Sequence, residues 1–384
     1  MDMVALGERV REARKRRGLT QRELARLADL SVSLVRKLEQ GDYENGLRLV
    51  TVHRLAVVLG VQTSFLAAGG AWEQVRLVLE GSDSTGAQDE PALGGVRAGA
   101  AAVDALYRDN RLAEMGVLLP ALLRDADALV GSSVDGVQVQ ARAARSRVRL
   151  VTASLMIQAW QFGTAWHTLE GAMDDAPDKL GQMAVASQMC FALLRQGRLA
   201  EARDLAVRWS DETEPKLTRA TRDELAAWAG LLIWVSAAAA RDNLPDLAAE
   251  TIRLAQMATA GTNGDFLPAH APWHLVGPTM VATARAENAI LADRPATTLA
   301  IGAQLERRGI AGEYVRHRLD VASAHAMLRQ HQEAVTVLLQ LRRAAPDWLA
   351  CQRYAADTLG EIIRSRRTLS TDMRDLADFM CLPL

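Results

Sequence analysis

Apolar positions along this chain recur every three or four residues, the spacing of one face of an α-helix. Near the start they predict a first helix around Leu6–Ala13 and a fourth around Val52–Leu59. From about Ala100 the same period continues almost to the C-terminus, with abundant alanine and leucine and without the alternation that strands show. The pattern predicts an all-α chain.

Between those two helices lies the segment GLTQRELARLADLSVSLVRKLEQG, which begins at Gly18. Thr20 and Glu23 fit a capping box, in which each side chain binds the backbone amide of the other, so a helix is predicted to begin directly after Thr20. Asp29 tolerates the left-handed backbone of a tight turn. Ser31 then provides the N-cap of another helix.

Both helices of this segment are amphipathic. The first is predicted to bury Leu24, Ala25, Leu27 and Ala28. The second turns Val35 and Leu38 inward and leaves a polar, cationic face outside. Two short helices joined by a tight turn, the second with a cationic outer face, predict a helix-turn-helix. A two-helix hairpin of some other fold is the alternative.

Fixed spacing strengthens this interpretation. The matching residues are Gly18-Leu19-Thr20-Gln21, Glu23-Leu24-Ala25, Ser31, Leu38-Glu39 and Gly41. Together they resemble the Cro/C1-type (XRE) helix-turn-helix family. The resemblance extends from about Leu6 to Val61, with Phe65 and Leu66 fitting a fifth helix, and it departs at Asp29, where the family prefers glycine. It implies binding to double-stranded DNA.

The helix-turn-helix interpretation assigns DNA contacts to particular side chains. Gln21 and Arg22, at the start of the first helix of the motif, are predicted to contact phosphate, as helix N-termini favour. The outward residues of the second helix are predicted to face base edges. The full predicted set is Arg17, Gln21, Arg22, Val32, Ser33, Arg36 and Lys37.

Charge divides the chain in the same way. Twelve basic and eight acidic residues precede Ala71, a net charge of +4, whereas the whole chain carries −1, so the remainder carries −5. A basic head on an acidic body suits a head that meets phosphates. The run Arg14–Arg17 also suits the negative end of a helix dipole, and both interpretations can hold together.

Length and composition indicate a globular protein of more than one domain. The chain has 384 residues, 49% of them hydrophobic, with no run of eighteen apolar residues and no N-terminal secretory signal. Three widely spaced cysteines predict reduced thiols. These features predict a cytoplasmic protein, nucleoid-associated when bound to DNA, with no membrane partner.

Composition also predicts the domain boundaries. Gly69-Gly70 breaks the chain, Trp72–Glu80 could form one helix, and Gly81–Gly99 is rich in glycine, serine, aspartate and proline. We therefore expect a DNA-binding head at 1–68, a flexible linker at 69–99 and a helical domain at 100–384.

Degenerate repeats run through the helical domain. In a 34-residue frame starting at Val315, Ala322 falls at position 8, Ala334 at position 20 and Pro346 at position 32, as in a tetratricopeptide repeat. Frames starting at Met183 and Ala229 again place small residues at positions 8 and 20. Hairpins near 103–129, 148–176 and 278–305 are predicted outside this frame. The repeats predict a superhelix of helical hairpins, and an irregular helical bundle is the alternative.

A broader similarity covers nearly the whole chain. Its residues are Arg111-Leu112-Ala113-Glu114 followed by Leu118–Leu123, Gly277-Pro278-Thr279, Arg318–Ala322, Glu333-Ala334-Val335 and Ala345-Pro346. They resemble an actinobacterial group of helix-turn-helix regulators with tetratricopeptide-like C-terminal domains, similar in architecture to the peptide-sensing RRNPP regulators. Met280 and Ala284 depart from the group's Asn and His, so a different effector, or none, is implied.

The sequence contains none of the common catalytic motifs that we considered. There is no phosphate-binding glycine loop, no G-x-S-x-G and no H-E-x-x-H, so we expect no enzyme and no cofactor. His270 and His274 have the i, i+4 spacing of helical metal ligands, but Pro268 and Pro272 predict a loop there, and no metal site is expected.

An effector site is predicted on the inner helices of the middle repeats together with the long loop Gly261–Gly277. Tryptophans would form flat apolar walls, and asparagine and arginine would anchor polar groups. The predicted residues are Trp160, Trp234, Asn263, Trp273, Arg285 and Asn288. Ordinary core packing by the tryptophans is the alternative.

These observations predict a sequence-specific transcriptional regulator. We expect a homodimer on a palindromic operator, modulated by an unknown small-molecule or peptide effector in the repeat domain. A regulator or scaffold controlled by a protein partner in the repeat groove is the alternative. A head that no longer reads DNA is disfavoured, because Gln21, Ser33, Arg36 and Lys37 keep hydrogen-bonding side chains.

Overall fold

A computed structural model gives the fold of the chain. It describes residues 3–41, 49–59, 75, 78–79, 91–133, 135–272, 274–305, 311–366, 368–380 and 382. Apart from an isolated bridge between Phe266 and Val276, the residues in these ranges contain no β-structure. The all-α prediction is confirmed.

The N-terminal head contains four described helices. They are α1 (Met3–Arg16), α2 (Gln21–Leu27), α3 (Val32–Gln40) and α4 (Leu49–Leu59). Their core consists of Leu6, Val10, Ala13, Leu24, Ala25, Ala28, Val35, Leu38, Val52, Leu55, Ala56 and Leu59. The buried faces are as predicted except at Leu27, which is 49% exposed because it lies at the edge of the stripe through Leu24 and Ala28. The predicted fifth helix lies outside the described residues.

The helical body follows as a series of hairpins. Its helices are α5 (Leu93–Arg108), α6 (Leu112–Ser132), α7 (Asp135–Gln158), α8 (Phe162–Asp174), α9 (Lys179–Arg195), α10 (Leu199–Glu212), α11 (Arg222–Arg241), α12 (Pro245–Ala260), α13 (Pro278–Leu291), α14 (Pro295–Gln304), α15 (Ala311–Met327), α16 (His331–Ala344), α17 (Pro346–Ala350), α18 (Arg353–Arg364) and α19 (Thr371–Met380). The predicted superhelix of helical hairpins is confirmed.

The hairpins form two layers that close into a ring. Helices α5, α7, α9, α11, α13 and α15 pack in succession and form the inner layer, each with its partner helix outside. α5 also contacts α15, and α6 contacts α17. One hydrophobic core joins side chains of the first hairpins to those of the last ones. The first and last hairpins are therefore in contact.

Each of six hairpins is closed by a buried pair of residues twelve positions apart. The pairs are Val103 and Met115, Ala153 and Ala165, Cys190 and Ala202, Ser236 and Ala248, Ala286 and Thr298, and Ala322 and Ala334. Two of them are also hydrogen-bonded, since Ser236 Oγ donates to the Ala248 carbonyl and Thr298 Oγ1 to the Ala286 carbonyl, both at 2.8 Å. The hairpins predicted outside the 34-residue frame thus share its internal spacing, and only the distance between hairpins varies.

The turn between the two helices of each hairpin is equally regular. Seven residues after the first member of each pair, the backbone is left-handed, at Asn110, Trp160, Gly197, Asn243, Asp293 and Arg329. Asparagine, aspartate and glycine tolerate that conformation, whereas a bulky side chain is strained in it. Trp160 therefore occupies a position at which a small residue would suit the turn better.

Helix α5 corrects the predicted extent of the linker. The helix begins at Leu93, so Gly94, Gly95 and Gly99 are helical rather than part of a flexible joint. A Cβ atom on Gly99 would lie 2.6 Å from Leu122 Cδ1 on α6. This glycine lies where α5 contacts α6, a position that composition alone does not distinguish from a linker.

Among the described helices, α11 is long and apolar enough to cross a membrane by length and composition. However, 67% of its most apolar stretch is buried inside the helical body. Its apolar character is accounted for by its central position, where it packs against α9, α10, α12 and α13.

Candidate functional site

The turn between α2 and α3 forms as the sequence predicts. The Thr20 hydroxyl accepts from the Glu23 amide at 3.2 Å, and Glu23 Oε2 accepts from the Thr20 amide at 2.7 Å. Asp29 is left-handed with φ of 52°. Ser31 Oγ accepts from the Leu34 amide at 3.1 Å and caps α3. These contacts fix the start and the direction of α3.

The outer face of α3 is polar and cationic. Ser33, Arg36 and Lys37 are exposed on it, while Val35 and Leu38 are fully buried on the opposite face. Val32 is only partly exposed and packs against the head core, so just part of its side chain is available to a base. Base contacts by these residues remain a prediction.

A buried ion pair holds α3 against the rest of the head. Arg14 Nε and Nη2 donate to the two oxygens of Glu39 at 2.6 and 2.9 Å, and Arg14 Nη1 donates to the Leu19 carbonyl at 2.7 Å. Gln21 Nε2 also donates to Glu39, at 2.9 Å. The arrangement links α1, α2 and α3 through one carboxylate.

The electrostatics of this pair favour its charged form. Burial alone would raise the pKa of Glu39, but the hydrogen bonds from Arg14 and Gln21 outweigh burial and hold that pKa below its usual value. The guanidinium of Arg14 has a raised pKa for the same reason. The sequence carried a signal, since Glu39 follows Val35 by one helical turn and so lies on the inward face.

Two of the predicted DNA-binding residues, Gln21 and Arg17, have internal partners. The amide nitrogen of Gln21 is bound to Glu39, so its side chain has only its oxygen and remaining hydrogen for DNA. Arg17 Nη1 donates to the Val58 carbonyl at the end of α4, at 2.6 Å. Arg22 is exposed beside the start of α2. Contacts of these three residues with DNA stay predictions.

Replacing Arg36 with alanine is expected to relax sequence preference. A bidentate guanidinium contact to a base contributes about 1–3 kcal/mol of discrimination, so affinity for the best duplex should fall by that amount while affinity for random DNA changes little. Anisotropy titrations of both duplexes at one salt concentration measure this. Arg22→Ala is the control, because loss of a phosphate contact weakens both duplexes alike. Equal weakening by Arg36→Ala would remove Arg36 from base reading.

The inner layer of the body brings polar side chains of several helices together. We use the name polar channel for this connected set, which comes from α5, α7, α9, α11, α13, α15 and the start of α18: Tyr107, Gln158, Gln188, Arg195, Arg241, Glu287, Arg316, Asp320 and Gln352. Gln352 Nε2 lies 3.5 Å from Gln158 Oε1, which joins the last helices to α7 across the channel. The channel thus lies between the first and last hairpins.

Charged side chains converge at one part of the polar channel. Glu287 accepts from Arg241 at 2.5 Å and also pairs with Arg316. Burial raises the pKa of Glu287, but the two guanidinium groups outweigh it and bring that pKa down to about 2. Burial raises the pKa of Asp320 to about 7, although Arg316 lies 3.5 Å away. The cluster is therefore at least as basic as its formal charges indicate.

The loop Gly261–Gly277 forms a finger that crosses the channel. Its base is fixed because the Thr279 amide donates to Asp265 at 3.0 Å and Phe266 bridges Val276. Its distal part reaches several inner helices. The contacts are Arg108 Nη1 to the Pro272 carbonyl at 2.7 Å, Arg147 Nη1 to the Ala269 carbonyl at 3.2 Å, the Ala269 amide to Asp223 at 3.2 Å, and Gln188 Nε2 to His274 Nε2 at 3.2 Å.

The predicted effector residues are not all brought together. Trp160 stands at the channel beside Arg195, at 4.7 Å from its guanidinium. Trp234 packs on Phe191 and donates to Ser187 Oγ at 2.6 Å, between α9 and α11. Asn288 on α13 donates through Nδ2 to Oγ of Ser236 on α11, at 2.8 Å. Ser236 is itself a member of one of the buried hairpin pairs.

The other three predicted effector residues lie elsewhere. Asn263 is exposed in a left-handed turn at the base of the finger, and Arg285 is exposed on α13 rather than pointing into a cavity. Trp273 lies outside the described residues. Arg195, Arg316 and Glu287 are channel residues that the sequence did not single out, because a charged residue on an amphipathic helix usually faces solvent.

Comparison with known proteins agrees with the geometry of the head. Residues 10–66 match the family model described as Helix-turn-helix. No curated protein matches the chain. Among solved structures, the crystal structure of Bacillus thuringiensis PlcR in complex with the peptide PapR7 and DNA matches at 11% sequence identity and a TM-score of 0.38, covering 87% of this chain and 99% of that one. That similarity is too low to bear on function.

The head is an XRE-type helix-turn-helix domain, since its family match, its caps and its exposed α3 face coincide. The chain as a whole combines this DNA-binding head with a superhelix of helical hairpins. This combination defines a DNA-binding regulator.

Proposed function

We propose that this protein is a sequence-specific transcriptional regulator in which the helical body senses an effector and controls the head. The observation that carries the proposal is the exposed face of α3, with Ser33, Arg36 and Lys37, on a helix whose opposite face is locked into the head core. A rigid helix with outward donors is what major-groove reading requires.

We place the effector in the polar channel. Its enclosure by the contact of α5 with α15 favours a small ligand or short peptide over a folded partner protein. One contact between head and body supports a route of control. Arg54 on α4 donates to the Asp29 carbonyl at 3.2 Å and to the Asp378 carbonyl of α19 at 3.0 Å, so one side chain joins the α2–α3 turn to the body. An effector acts only through different affinities for two arrangements of head and body.

The proposed active species is a homodimer. One head makes few contacts, whereas two heads reading half-sites about one helical turn, or roughly 34 Å, apart give tight specific binding. Sedimentation equilibrium of the full chain at micromolar concentration, without DNA, is expected to show a dimer. A monomer under those conditions would contradict a preformed dimer and would mean that the two heads pair only on DNA.

A genetic experiment in the source organism tests whether the protein regulates transcription. There the protein is proposed to act on DNA in the cytoplasm. Deleting the gene is expected to change a defined set of transcripts, and wild-type protein supplied in trans should restore them. Arg36→Ala protein, present at equal level, should not restore them. Unchanged transcripts after deletion, or full restoration by the variant, would contradict the proposal.

A further inference from the structure

Arg195 is an unusual cation in the polar channel. It ends α9, and its guanidinium lies over the indole of Trp160 at 4.7 Å and near the ring of Phe191 at 5.9 Å. Nη1 donates to Gln352 Oε1 at 3.2 Å. Three sides of this guanidinium are thus formed by two aromatic rings and a neutral amide.

The other two donor nitrogens of Arg195, Nε and Nη2, have no hydrogen-bond partner among the described residues. Both are shielded from solvent, and no described carboxylate lies within ion-pair distance. Burial lowers the pKa of Arg195, and the nearby guanidinium of Arg316 lowers it further. A buried cation without an anion is costly, and one side of a guanidinium fork is free to pair with two oxygens.

Trp160 covers this site at a cost to its own backbone. It is the left-handed residue of its hairpin turn, with φ of 61°, in a position that other hairpins fill with Asn, Asp, Gly or Arg. Such strain costs on the order of 1–3 kcal/mol. Its indole Nε1 lies 3.4 Å from the Cys351 carbonyl, and 43% of the residue is exposed. Trp160 therefore stands between solvent and Arg195, held by one long hydrogen bond and by an edge contact with the ring of Phe162, whose centroid lies 5.6 Å away.

The charges of the channel indicate the charge of a ligand. Arg195, Arg241 and Arg316 face two acidic residues, Glu287 and Asp320, so the formal excess is one positive charge. A carboxylate balances this formal excess, and the apolar rings beside the free donors, rather than the charge alone, favour it over a phosphate group. The rings of Trp160 and Phe191 offer flat apolar surface beside the free donors.

We propose that Arg195 binds the carboxylate of an apolar carboxylic acid through Nε and Nη2, with the indole of Trp160 moving aside to admit it and then packing on its apolar part. The acid is either a small aromatic or branched acid or the C-terminal end of a short peptide. This inference rests on the proposed function, because it names the ligand class of the same sensor body.

Two pairs of probes test the inference on the full chain without DNA. Phenylacetate is compared with phenylacetamide, and N-acetyl-leucyl-phenylalanine is compared with its C-terminal amide. Thermal unfolding and tryptophan fluorescence report binding. One free acid is expected to bind at least about tenfold more tightly than its amide, as one added charge-assisted pair requires. The pair that discriminates identifies the source of the carboxylate.

Variants separate ligand binding from structural support. Arg195→Gln should abolish the difference between acid and amide, and Arg195→Lys, which keeps the charge but loses the fork, should reduce it and guards against misfolding of the first variant. Arg198→Gln is the matched control, since Arg198 is exposed and pairs with Glu201 at 2.8 Å. Trp160→Asn should retain acid discrimination and lose most of the fluorescence change.

The outcomes are distinct from those that test DNA reading. Equal binding of each acid and its amide, no binding by any probe, or full discrimination by Arg195→Gln would overturn the assignment of Arg195. Each of these results can occur whether or not the head reads DNA. Conversely, a head that selects no DNA sequence would leave a discriminating Arg195 site intact.

Discussion

Replacing Gly7 with alanine is expected to unfold the head. Gly7 lies on α1 where the helix passes directly over the backbone of α3, and a Cβ atom there would approach the Leu38 carbonyl oxygen far closer than the 3.0 Å that real Cβ atoms respect. The obstructing atom is backbone, so relief requires α1 and α3 to separate. We expect a loss of about 3 kcal/mol in the free energy of unfolding of the head.

Amide hydrogen exchange of the full chain measures this effect, because it reports α1–α3 separately from the body. Gly230→Ala is the control, since Gly230 lies within α11 and a Cβ there meets nothing within 4 Å. That change should stabilise its helix by up to about 1 kcal/mol, the opposite sign. Unchanged protection of α1–α3 in Gly7→Ala would show that the two helices do not pack as described.

Removing the carboxylate of Glu39 is the second large effect. Glu39→Ala leaves the guanidinium of Arg14 and the amide of Gln21 without their shared partner, and only 3% of the Glu39 side chain is exposed. Breaking a buried pair by removing one partner costs about 3–5 kcal/mol. We therefore expect the exchange protection of α3, and with it DNA binding, to fall sharply. Glu201→Ala, in an exposed and solvent-screened pair, is the control and should leave stability nearly unchanged.

The same pair predicts how head stability depends on pH. The pKa of Glu39 is lower in the folded head than in the unfolded chain, so its stabilisation is fully present above its usual pKa. That stabilisation is lost as pH falls through the lowered pKa. Exchange or fluorescence across the acid range should show the head of Glu39→Gln to be less sensitive to acid than the wild-type head. Identical acid profiles would exclude Glu39 as a source of this sensitivity.

Local features of the head were predictable from sequence, because short-range chemistry determines them. The Thr20 capping box, the left-handed Asp29 and the Ser31 cap each depend on residues within a few positions of one another. The pair of Arg14 with Glu39 spans 25 positions and depends on how α1 meets α3. The spacing of Glu39 from Val35 was a signal for an inward position, but no local spacing could name its partner.

In the helical body, too, local features were predictable from sequence and long-range contacts were not. The small residues of each hairpin and their left-handed turns follow from local packing, and three of these frames were read from the sequence. Closure of the ring depends on contact between α5 and α15, more than two hundred residues apart. Contacts within the polar channel that join the first and last hairpins, such as Gln158 with Gln352, depend on that closure. Arg195 and Arg316 were therefore indistinguishable in sequence from solvent-facing residues of amphipathic helices.

Two tryptophans show that residue type alone does not tell a packing residue from a residue that lines a site. Trp160 and Trp234 are both tryptophans of the repeat region. Trp234 fills space between α9 and α11, whereas Trp160 covers the guanidinium of Arg195. The difference arises from the strained turn position of Trp160, which becomes visible only when the hairpins are aligned by their buried pairs.

Selection of DNA from a random duplex pool tests the central claim most directly. The full-length protein is incubated with the pool at near-physiological salt, and the retained duplexes are sequenced. We expect a defined motif with two related half-sites about one helical turn apart, and we expect Arg36→Ala to lose preference at particular base positions within it. Retained DNA with the same composition as the input pool would contradict the proposal that this protein reads DNA sequence.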